Sequence, residues 1–75
     1  MDRIPVIDMN ETGANITRLR KERNMSVKEL QVTLGFNTPQ AIFKWQRGES
    51  LPSIDNLVIL AKVFDVSMDD IVKVR

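Results

Sequence analysis

Thr38-Pro39-Gln40-Ala41-Ile42-Phe43-Lys44-Trp45-Gln46-Arg47-Gly48-Glu49-Ser50-Leu51-Pro52-Ser53 is the stretch on which the fold turns. Threonine is a good helix N-cap, and proline suits the first helical position, where its missing N–H has no intrahelical partner to lose. A short helix is therefore predicted over about residues 39–47, stopped by Gly48. Ala41, Ile42 and Trp45 share one face of it. The opposite face carries Pro39, Gln40, Phe43, Lys44 and Arg47, which mixes an amide, an aromatic ring and cations. A merely solvated face rarely carries a phenylalanine. Leu51-Pro52 then reads as a turn, and Ser53 as the cap of a following helix.

Upstream, Ser26-Val27-Lys28-Glu29 is a capping box, in which the Ser26 hydroxyl and the Glu29 carboxylate satisfy each other's backbone N–H groups. Val27, Leu30 and Leu34 form the inner stripe of that helix, and Gly35 ends it in the left-handed conformation. Before it, a helix runs from about Thr12 to Asn24, with Ile16, Leu19 and Arg23 on one face. Downstream, Ile54, Leu57, Val58, Leu60, Ala61 and Phe64 make the stripe of the fourth helix. Ser67 caps a fifth, with Asp69 and Asp70 in its first turn, where the helix dipole favours acids. Met68, Ile71 and Val72 return to the core. The fold class is all-α, a compact five-helix bundle. Residues 1–11 form an extended N-terminal arm, 12–72 the helical domain and 73–75 a tail. Both ends are apolar and read as extended. A small strand pairing between them is expected, either covering the bundle or joining two subunits.

Composition narrows the function. The chain has 75 residues, enough for one small domain. It has no histidine and no cysteine, so it lacks the commonest general base, the thiolate nucleophile and the usual metal ligands. An enzyme is not expected, nor a cofactor or a metal. No apolar run reaches a membrane span, and Met1 to Pro5 lacks a signal-peptide layout, so a cytoplasmic protein without membrane contact is expected. The net charge of +1 is lopsided. Residues 12–48 hold seven basic side chains against two acids, whereas residues 49–72 hold five acids against Lys62 alone. A polyanion facing one side accounts for that division.

Taken in order, several segments resemble the phage repressor and Cro-like, or XRE-type, helix-turn-helix family. They are Leu19 to Arg23, Met25 to Leu30, Leu34-Gly35, Ile42 to Gly48, Leu51-Pro52-Ser53, Leu57 through Ala61, and Val66 to Asp69. The resemblance implies a lambda-repressor-like domain whose second and third helices form the motif. It further implies a transcription regulator, typically a repressor, that acts as a homodimer on double-stranded DNA. On the matching positions, the tip of the recognition helix falls on Thr38 or Pro39, with Asn37 just before it. The base-reading amide falls on Gln40, the next exposed turn on Phe43 and Lys44, and the phosphate-contacting segment on Arg47 to Ser50. Three positions depart from the family pattern. The turn from Gly35 to Trp45 carries one extra residue, within Phe36-Asn37-Thr38-Pro39. Gln31 stands where alanine is usual, and needs space or partners. Arg20 faces Gln46 where a glutamate is usual.

The residue types suit DNA. A helix fits the major groove, where glutamine pairs bidentately with adenine and lysine reaches guanine or a phosphate. Phe43 can touch a thymine methyl or serve a protein interface, and both readings stand. Free N–H groups at Val27 and Lys28, with the Lys28 ammonium, offer a phosphate site. Trp45 reads as a core anchor, Arg20 as structural and Asp69-Asp70 as a helix start. The alternative function is a protein-interaction module, an antitoxin or adaptor on the same fold. No small-molecule sensor domain is expected in this sequence.

Overall fold

The computed structural model describes residues 4–75. The beginning of the expected arm, residues 1–3, lies outside them. Among the described residues five helices follow one another: α1 (Met9–Glu22), α2 (Val27–Leu34), α3 (Gln40–Gln46), α4 (Ile54–Phe64) and α5 (Met68–Ile71). α1 packs on α3 and α5, and α4 packs on α5. Ile16, Leu19, Leu30, Ile42, Trp45, Leu57, Leu60, Phe64 and Ile71 form one buried core. Full burial of such a side chain is worth about 1.5–3 kcal/mol.

The helix ends follow from local chemistry. The Ser26–Glu29 capping box is complete, and Ser67 and Asp70 form a second. Gly35 (φ 73°) ends α2 in the left-handed region, with its own N–H on the Val32 carbonyl and the Phe36 N–H on Gln31. α1 starts three residues earlier than the expected Thr12, because Asp8 caps it by accepting the Glu11 N–H at 2.9 Å. It also stops at Glu22, short of Asn24, which turns to φ 55°. α3 starts at Gln40 rather than Pro39. Pro39 occupies the N-cap position with its carbonyl accepting from the Phe43 N–H, and no side chain caps the helix. Thr38 therefore stands one residue before the cap. Its hydroxyl lies 3.5 Å from the Gln40 N–H. Ser53 precedes α4 as expected, but its hydroxyl binds the Asp55 carboxylate instead of the backbone.

Residues 6–8 meet residues 73–75. Ile7 and Val74 form an antiparallel bridge, with the Asp8 N–H on the Lys73 carbonyl and the Arg75 N–H on the Val6 carbonyl. The pairing is made within one chain. Two buried polar residues of α1 staple the tail down. Thr12 Oγ1 accepts the Lys73 N–H, and Asn15 Nδ2 donates to the carbonyls of Asp70 and Ile71. Sequence reasoning passed over both.

The inner stripes need one correction. Ile54 is 73% exposed, Val58 50% and Met68 42%, so these three leave the expected core. α4 turns Leu57, Leu60 and Phe64 inward, and a stripe wide enough to bury Ile54 and Val58 as well would need another element to cover it. Met68 opens α5, and only Ile71 of that four-residue helix is fully buried. No helix among the described residues is long and apolar enough to cross a membrane.

Candidate nucleic-acid interface

α3 is anchored from behind. Ile42 is fully buried and Trp45 nearly so, and the Phe36 ring meets Trp45 edge-on, with centroids 5.8 Å apart at 66°. The longer turn is held by Gln31, a buried amide that donates from Nε2 to the Phe36 carbonyl at 3.1 Å. The extra residue of the turn and the unusual glutamine of α2 thus answer each other. At the far end of α3, Arg20 donates from Nε to Gln46 Oε1 at 3.0 Å and from Nη1 to the Met25 carbonyl at 2.7 Å. A hydrogen bond to the neutral glutamine thus stands where the usual glutamate would give a salt bridge. Both acceptors are neutral, so the guanidinium keeps its charge between the start of α2 and the end of α3.

With that face fixed, the opposite face of α3 is open. Asn37, Thr38, Gln40, Lys44 and Ser50 line one shallow depression, floored by Gly35, Phe36 and Ala41. Five of the nine residues singled out in the sequence therefore come together. The other four lie around it. Phe43 is 38% exposed, Pro39 is half-buried in the turn, Lys28 is exposed on the first turn of α2, and Arg47 is exposed at the end of α3. Among the described residues, the N–H groups of Val27 and Lys28 donate to no protein acceptor.

The charges sort themselves. Arg18 pairs with Glu22, Arg23 with Asp65 and Arg47 with Glu49. Among the described residues, Arg20, Lys21, Lys28 and Lys44 have no acid within ion-pair distance. Glu49 lies inside the segment assigned to phosphate, but sequence reasoning assigned it no role of its own beyond a place in the acidic half. A hydrogen bond from the Arg47 side chain holds its carboxyl below the ordinary carboxylate range, with the charges of Arg47 and Lys44 adding to the effect. Its signal was available, since Gly48 between the two residues lets the chain fold back at the helix end. No group of three metal-ligating side chains converges among the described residues.

This surface can offer a helix of groove-fitting width, an amide near its start and unpaired cations on two neighbouring helices. Comparison with known proteins bears on the fold and the family. The restriction-modification controller protein C.AhdI from Aeromonas hydrophila has a similar structure, with a TM-score of 0.75 over 85% of this chain and 96% of that one. The two are 22% identical in sequence, so this likeness speaks to the fold. Among curated proteins, none matches the sequence. The helix-turn-helix family profile matches residues 16–71, roughly three quarters of the chain. From α1 through α5, then, the chain belongs to the XRE-type helix-turn-helix family of DNA-binding domains.

Proposed function

We propose that this chain is a sequence-specific transcription regulator that places α3 in the major groove of double-stranded DNA and acts as a homodimer. One observation carries the reading: Asn37, Thr38, Gln40, Lys44 and Ser50 share an open face of the motif while the other face of α3 is locked into the core. Gln40, at the first helical position, is the base reader, and pairs with adenine N6 and N7. Lys44, one turn on, takes a guanine or a phosphate. Lys28 with the free N–H groups of α2, and Arg47 and Ser50 after α3, take phosphates on either side. The likeness to a controller protein supports a role in regulation.

Selection of bound duplexes from a random pool, followed by the same selection with Gln40→Ala, tests the assignment. The variant should lose about 1–3 kcal/mol on the selected site and relax its preference at one base position. Affinity should also fall steeply with salt, because each neutralised phosphate releases counterions. Identical base preferences in the two proteins would remove Gln40 from the reading set. No salt-dependent duplex binding at all would favour the protein-interaction module.

A further inference from the structure

We propose that Glu49 is a built-in competitor for the DNA backbone: its carboxylate occupies the Nε edge of the Arg47 guanidinium in the free protein and must release it before that edge can take a phosphate. This rests on the DNA-binding reading above. The geometry is set by the end of α3. Arg47 is its C-cap residue, and Gly48 reverses the chain with φ 76°. The Glu49 N–H is pinned to the Lys44 carbonyl at 2.9 Å, and its carboxylate meets Arg47 Nε. Both side chains are about half exposed, so the pair lies open to a ligand from outside. The next residue, Ser50, lines the same depression as Gln40 and Lys44. An acid is thus held beside the surface assigned to a polyanion.

Carboxylate and phosphate oxygens are the same kind of partner for a guanidinium, which binds either best through two parallel N–H groups. With Nε committed to Glu49, the edge that pairs Nε with a terminal nitrogen is closed to phosphate. An exposed ion pair is weak, so the exchange is cheap and the inhibition partial. It applies to every sequence alike, since phosphates carry no base identity. The effect is to lower affinity for duplex in general, not to select a base.

The test uses the full chain and a random-sequence duplex, with anisotropy titrations over a range of salt for wild type, Glu49→Gln, Arg47→Ala and the double variant. Circular dichroism confirms equal helicity. Glu49→Gln should tighten binding by roughly two- to fivefold, the range expected for loss of an exposed ion pair. Arg47→Ala should weaken it, and the double variant should bind like Arg47→Ala. Unchanged or weaker binding by Glu49→Gln overturns the proposal. So does an equal gain from Glu49→Gln in the Arg47→Ala background, which would make Glu49 a simple through-space charge. An altered base preference in a parallel selection with Glu49→Gln would make it a base reader instead. If wild type shows no salt-dependent binding, the DNA-binding reading itself falls, and the competitor with it.

Discussion

Gln31 holds Phe36 by both of its backbone groups: the side-chain amide donates to the Phe36 carbonyl at 3.1 Å, and the Gln31 carbonyl accepts the Phe36 N–H at 3.0 Å. The Phe36 ring in turn bears on Trp45. A polar side chain is therefore tolerated inside a helix pair because the turn beside it supplies a carbonyl. Gln31→Ala leaves that carbonyl without its partner and should cost about 1–3 kcal/mol in urea unfolding. A variant as stable as wild type would mean that water replaces the amide at no cost.

Gly13 sits in the middle of α1, where alanine is worth about 1 kcal/mol more than glycine on propensity alone. Packing decides otherwise. A methyl group there would run into the Trp45 carbonyl oxygen and lie 2.9 Å from that of Gln46. Both are backbone atoms at the end of α3 and cannot swing aside. Gly13→Ala should therefore destabilise, by a net of about 1–3 kcal/mol as for an overpacked core. A rise in melting temperature would show that α1 can back away from α3.

These two residues mark where the sequence stops being legible. The capping box at Ser26, the left-handed Gly35 and the inward set Ala41, Ile42 and Trp45 could all be read because each is a local pattern. The candidate surface followed, since the outer face of α3 is what remains once the inner face is assigned. What could not be read is long-range. Gly13 matters because of an oxygen 32 residues away in the chain, and Asn15 because of carbonyls at the far end of the domain. Thr38 misled by a single residue, since α3 begins at Gln40 and Pro39 takes the N-cap position. Ile54 and Val58 misled because apolar character shows a side chain's liking for burial without showing what buries it.

Both capping boxes place a carboxylate on a backbone N–H. The Ser26 backbone N–H, then the Ser26 hydroxyl, hold Glu29 below the ordinary carboxylate range, and Ser67 does the same for Asp70. A carboxyl whose folded value is depressed contributes stability that is complete above its unfolded value. It is lost as pH falls through the folded one. Melting temperature should accordingly be flat above about pH 5 and decline below it. The isosteric double variant Glu29→Gln/Asp70→Asn should melt lower at neutral pH and decline less in acid, so that the two curves converge. Parallel curves would mean that other carboxyls, Glu49 and Asp55 among them, account for the acid limb.

A single module buries about 600–1,000 Å² of protein on DNA, which is little for specific binding. Two copies reading half-sites about 34 Å apart would double it. The arm and tail were one expected means of joining them, but they pair with each other inside one chain. Ile4, Val6 and Val74 stay exposed beside that pairing, and a second exposed apolar surface lies on the helices. Ile54 and Val58 stand one turn apart on α4, and Ile59 and Met68 are exposed on α4 and α5. Aliphatic side chains grouped at helical spacing and left in water are what an interface core needs. The double variant Ile54→Lys/Val58→Lys should therefore be monomeric by sedimentation, keep its helicity and bind an isolated half-site as wild type does. Its affinity for a palindromic duplex should fall by about 100-fold or more, because the second binding event is no longer intramolecular. Deleting residues 1–7 should lower the melting temperature through loss of the Ile7–Val74 pairing and leave the proposed dimer in place. A monomer from the deletion and a dimer from the double lysine variant would return the subunit contact to the arm.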